Sequence, residues 1–108
     1  MNRVFPVLGN HDFYPFNQQE FLHPESNPTI NSLLTYWNKW LNSDSIKTFK
    51  MFGYYSQVLK LDDDSKLAAA QYTKIIGLNT MTCSIHNFGT FKTMYDPGDQ
   101  LTWLESEL

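Results

Sequence analysis

Apolar residues fall in six patterned segments along this chain. Residues 4–8, Val-Phe-Pro-Val-Leu, are apolar at every position and end at Gly9, which predicts a short buried strand. Pro6 inside it has no N–H to donate, so the strand belongs at an edge or a bulge. Ile30, Leu33, Leu34, Trp37, Trp40 and Leu41 recur every three or four residues, and their spacing predicts a helix over 28–41. Asn27 supplies its N-cap and Pro28 its first turn. A second helix is expected over 43–50, with Ile46, Phe49, Met51 and Phe52 inward and Gly53 as its stop.

Alternation returns in Gly-Tyr-Tyr-Ser-Gln-Val-Leu-Lys-Leu at 53–61, which reads as a strand. The run Asp62, Asp63, Asp64 is a solvated turn, because three adjacent acids repel one another. The chain then comes back as one strand or two, with residues 75–78 as its core. Ala68 to Ala70 would equally suit a helical turn. Residues 10–27 and 80–95 read as long loops. Asp96 and Pro97 open a last helix, with Leu101, Leu104 and Leu108 on one face and Trp103 beside them. The order strand, helix, helix, strand, strand, helix makes an α/β or α+β layer without internal repeat, with α/β as the expected class.

Composition narrows the class. Hydrophobic residues make up 42% and aromatic residues 16% of the 108 residues, which argues against disorder. Charged residues are 18%, and the net charge of −3 comes with no basic stripe, so a nucleic-acid duplex is not an expected partner. No apolar run approaches the roughly 18 residues of a membrane span, and no signal-peptide layout precedes the first strand. The one cysteine, Cys83, is either a buried thiol or half of a bridge to a cysteine outside this chain.

The chemistry concentrates at Asn10, His11 and Asp12, directly after the first predicted strand. Strand ends in α/β sheets are where sites are built. An amide oxygen is a hard, neutral metal ligand. The next residue around a turn points elsewhere, which leaves His11 able to act as general acid. Asp12 could hydrogen-bond one imidazole nitrogen and raise its basicity. The same residues also make an ordinary polar turn. His23 and His86 fall in loops and read as surface or structural residues, and a metal cage needs more donors than this cluster offers. Tyr14 and Phe16 are near enough in sequence to border a pocket, or to pack within their loop.

Val-Phe-Pro-Val-Leu-Gly-Asn-His-Asp resembles the central motif of the calcineurin-like metallophosphoesterases. Four later segments, taken in order, narrow the resemblance: the Trp-rich "LLTYWNKWL", then "GYYS", then "IIGLNT", then "DPGDQLTWLESEL". That succession is similar to the acid sphingomyelinase-like phosphodiesterases. The resemblance implies a fragment of a four-layer α/β/β/α sandwich, with 1–108 as the central part of the domain. It also implies a site of two metal ions, usually zinc, where hydroxide attacks a phosphodiester of sphingolipid or nucleotide type. Asn10 matches a metal ligand, His11 the catalytic acid, and Asp12 an acidic position beside them. The family's other metal-ligand motifs, upstream and downstream, are absent from this chain, so the isolated chain is expected to be inactive. Lysosomal or extracellular placement is implied by the same resemblance; the family's cysteine near Cys83 pairs with one past the point where this chain ends, a context usual in the acid sphingomyelinase branch, toward which Cys83 leans. A degenerate, non-catalytic relative and another metallophosphatase branch remain as alternatives.

Overall fold

The structure is a computed structural model that describes residues 3–13, 27–60, 72–84, 87 and 95–108. Helix α1 spans Pro28–Trp37 and α2 spans Ser43–Phe52; strands β1, Tyr55–Lys60, and β2, Tyr72–Gly77, come next, and α3 covers Gln100–Glu107. Short 3-10 turns sit at Asn10–Asp12, Thr80–Cys83 and Pro97–Asp99. The α/β class is therefore observed, in a helix–sheet–helix arrangement around one antiparallel pair.

Local chemistry explains the helix ends. The Asn27 side chain accepts the Ile30 N–H at 3.1 Å, with Pro28 at the first position where no donor is needed. Asn42 does the same for Ser45 at 2.8 Å. Gly53 ends α2 with φ +85°, a left-handed conformation that glycine adopts without strain. A Cβ there would also collide with Leu8 Cδ1 and lie 2.9 Å from Asn79 Nδ2, so close packing and conformation both require glycine.

The strands pair in register from Tyr55 opposite Gly77 to Lys60 opposite Tyr72. Side chains alternate between the two faces. On one face α2 docks: Ser45 Oγ donates to the Ser56 carbonyl at 2.6 Å, and Gln57 Nε2 donates to the Trp40 carbonyl at 3.2 Å. On the other face α3 docks: Glu107 accepts from Ser56 Oγ at 3.0 Å and from Lys74 Nζ at 2.6 Å. Tyr54 stacks against Trp103 at 4.5 Å between ring centres. The main core lies on the α1–α2 side, where Leu8, Phe13, Ile30, Leu41, Phe49, Tyr55 and Met81 cluster. Phe49 sits between Trp37, in a tilted ring contact, and Tyr55, in an edge-to-face one.

Several expectations are corrected. Residues 4–8 form no paired strand: Val4 and Val7 are exposed and only Leu8 is buried. Apolar character alone cannot make a strand; a ladder partner is needed, and neither β1 nor β2 hydrogen-bonds this segment. Helix α1 stops at Trp37 rather than residue 41, because the chain tightens there with Trp40 N–H donating to the Trp37 carbonyl. Met51 is exposed rather than inward. The last helix starts at Gln100, after a Pro97–Asp99 turn kinked by Gly98 at φ +68° and Asp99 at φ +53°. Asp96 still caps it from a distance, taking the Leu101 N–H on one carboxylate oxygen and the Thr102 N–H and Oγ1 on the other. Slight burial opposes ionisation of Asp96, but those donors prevail and hold its carboxyl below the ordinary aspartate value. The acidic run at 62–64 and Ala68 to Ala70 lie outside the described residues.

Candidate functional site

The Asn10–Asp12 turn hangs between two anchors. Leu8 is 4% exposed and Phe13 is 3% exposed, so the residues flanking the turn are fixed in the core. Asn10, His11 and Asp12 between them are all exposed. The turn closes on itself: Asp12 N–H donates to the Gly9 carbonyl at 3.2 Å, and Gly9 N–H donates to Asp12 Oδ2 at 2.6 Å. One oxygen of the Asp12 carboxylate therefore holds the backbone. Gly9 itself is extended, at φ −116°, ψ 171°.

Beside the turn lies an open groove of about 360 Å³, bordered by Asp12 and by Pro28, Thr29, Ser32 and Leu33 of α1. Asp12 thus lies across this groove from the first two turns of α1. Asn10 and His11 are adjacent and both exposed. Among the described residues no group of three or more His, Cys, Asp or Glu side chains gathers to hold a metal. These residues offer one amide oxygen with an imidazole next to it, too few donors to fit a divalent ion unaided. Tyr14, Phe16, His23 and His86 lie outside the described residues. Cys83 is exposed, which removes the buried-thiol alternative.

Beneath the turn is a buried polar lock that sequence patterning does not reveal. Gln100, 3% exposed, pairs with the main chain of the fully buried Asn79 much as one peptide pairs with another. Its Oε1 accepts the Asn79 N–H at 2.6 Å, and its Nε2 donates to the Asn79 carbonyl at 3.1 Å and to Thr82 Oγ1 at 3.0 Å. The Asn79 side chain in turn donates to the Phe52 carbonyl at 2.8 Å and accepts the Met81 N–H at 3.2 Å. Asn79 abuts Gly53, and Gly53 abuts Leu8. A packed line therefore runs from α3 through the end of β2 to the residue before Gly9. The available signal is two amides, Asn79 in an otherwise apolar stretch just past a strand and Gln100 in the helix opening after Asp99.

No protein-family model matches the chain. Individual relatives do. Human cyclic GMP-AMP phosphodiesterase SMPDL3A is 33% identical over 106 residues, 98% of this chain and 21% of the relative. Human acid sphingomyelinase-like phosphodiesterase 3b is 37% identical over 106 residues, with the same shares. Sphingomyelin phosphodiesterase A of Dictyostelium discoideum is 31% identical over 107 residues, 97% of this chain and 16% of the relative. The chain spans about a fifth or less of the length of the curated relatives it matches.

Proposed function

The chain belongs, as a partial chain, to the acid sphingomyelinase-like phosphodiesterase family, and from that premise we propose that it forms the middle of a phosphodiester-hydrolase domain whose other walls are built by sequence outside it. The observation that carries this reading is the turn after Leu8, which holds Asn10 and His11 side by side at the surface between two buried anchors. In the complete domain, a four-layer α/β/β/α sandwich, His11 would protonate the departing alkoxide oxygen, and Asn10 would be one of the residues to hold a zinc ion together with donors from outside this chain. Such an ion would supply positive charge to activate water and steady the phosphoryl oxygens. Asp12 acts through the backbone: by closing the turn on Gly9 it fixes the direction in which His11 leaves the chain.

The substrate is a phosphodiester. Relatives are named for cyclic GMP-AMP and for sphingomyelin, so both a nucleotide and a sphingolipid headgroup belong to the class to be tried. The family names favour a lysosomal or secreted setting. No described helix is long and apolar enough to cross a membrane.

With one ligand position in hand, the 108-residue chain alone is inactive and holds zinc weakly, since a single neutral oxygen does not offset the dehydration of a divalent ion. Purified chain dialysed against zinc, then assayed for bound metal and for hydrolysis of a chromogenic phosphodiester, tests this. The expected outcome is substoichiometric metal and background turnover. Tight stoichiometric zinc with metal-dependent turnover would show that the chain carries a complete site.

A further inference from the structure

Away from the Asn10–Asp12 turn, a second concavity of about 320 Å³ opens between residues 3–5, the turn after α1 and the outer half of β1. Arg3, Lys39 and Lys60 stand on its walls, with Phe5, Trp40 and Val58 between them. Three of the chain's eight Lys and Arg side chains thus meet at one hollow, in a chain of net charge −3, and among the described residues no acid lines it. The described ion pairs, Asp44 with Lys47 and Lys74 with Glu107, lie elsewhere. Lys39 Nζ sits 4.5 Å above the Trp40 ring centre, so a positive charge is held directly over an apolar wall. Val58 is 54% exposed there, a large apolar side chain left open beside three cations.

We propose that this hollow is a binding site for an anion with an apolar body, such as a phosphomonoester on an aromatic or aliphatic group. The anionic head pairs with Lys39, Lys60 and Arg3, while the body covers Trp40, Phe5 and Val58. The size falls within the range of small-ligand pockets, roughly 300–1,000 Å³. The cations steer and orient the head; burial of the apolar body adds the larger share of affinity. The site is separate from the Asn10–His11 turn and does not depend on the function proposed for it.

The test is a titration of the full 108-residue chain, monitored by NMR at the Gln57 and Lys60 amides and the Trp40 indole. Naphthyl phosphate is the soluble anionic probe and naphthol its neutral counterpart. Phosphatidylcholine vesicles with and without phosphatidic acid present the same chemistry as a lipid head. Naphthyl phosphate or phosphatidic acid vesicles should perturb these three signals, and whichever does so identifies a soluble or a membrane source. Naphthol should bind roughly tenfold more weakly, and the double substitution Lys39→Glu, Lys60→Glu should weaken the anion by a similar factor. Lys47→Glu, an equally exposed cation on α2, should leave binding unchanged while confirming that the fold tolerates such a charge. Absence of shifts with both anions, equal binding of naphthol, or anion binding that survives the double substitution would each overturn the proposal.

Discussion

Replacing Gln100 by alanine should be the most damaging single truncation outside the main core. Gln100 is 3% exposed, and its amide makes three hydrogen bonds in a buried cluster. Alanine withdraws the acceptor that lies 2.6 Å from the Asn79 N–H and the donor that reaches the Asn79 carbonyl. A buried amide that loses its partner costs about 1–3 kcal/mol. Loss of the side-chain packing brings the total to roughly 2–4 kcal/mol. Domains of this size hold about 5–15 kcal/mol in all, so the change consumes a large fraction. With a urea slope near 2 kcal/mol/M, the unfolding midpoint should fall by about 1–2 M. Hydrogen exchange should quicken most at Asn79 and, through Gly53 and Leu8, at the Gly9 and Asp12 amides. Gln100→Glu sharpens the test. It keeps an acceptor for the Asn79 N–H but sets a second oxygen against the Asn79 carbonyl. The folded state then resists ionisation, so the variant should be as unstable as Gln100→Ala at neutral pH and recover as pH falls through the carboxylate range. A midpoint shift below about 0.3 M, or an Asn79 amide as protected as before, would refute the lock.

Two further perturbations test the packing around the sheet. The Tyr55 hydroxyl is fully buried without a hydrogen-bond partner among the described residues, and burial pushes its pKa up, so Tyr55→Phe should leave stability unchanged or raise it by about 0.5–1 kcal/mol in thermal or urea unfolding; a loss of more than about 1 kcal/mol would mean that the oxygen contributes a bond. The Lys74 ammonium, aided by Ser56 and modestly opposed by burial, holds the Glu107 carboxyl below its ordinary value. That contribution is complete above the ordinary glutamate range and disappears as pH falls through the lowered folded value. It should be worth under about 1 kcal/mol because both groups are partly exposed. Lys74→Met should flatten this acid-side loss in a melting profile, and an unchanged profile would show that the pair does not couple to folding.

Most of what the sequence discloses is local. Asn27 with Pro28, and Gly53 after Phe52, mark helix ends through bonds and angles that span a few residues, so those boundaries are directly legible. Residues 4–8 mislead because strand formation depends on a partner that hydrophobicity does not name. Asp96 is legible as a cap, yet Gly98 and Asp99 delay the helix by a turn that no spacing rule reports. The Gln100–Asn79 pairing joins residues 21 apart and depends on side-chain geometry alone. For the candidate site, the residue types at Asn10 and His11 suggest chemistry, and the order of the segments after them suggests descent. The anchors that aim the turn, Leu8, Gly53 and Asn79, emerge only in three dimensions.

The central claim is that His11 is an acid group of a phosphodiesterase site completed by sequence beyond these 108 residues. The direct measurement is steady-state hydrolysis of a chromogenic phosphodiester by the longest reading frame that carries this chain, compared with its His11→Gln variant at matched metal content. The account predicts that turnover drops by about 10²–10⁴-fold while bound zinc stays constant. Wild-type turnover in the variant would contradict it.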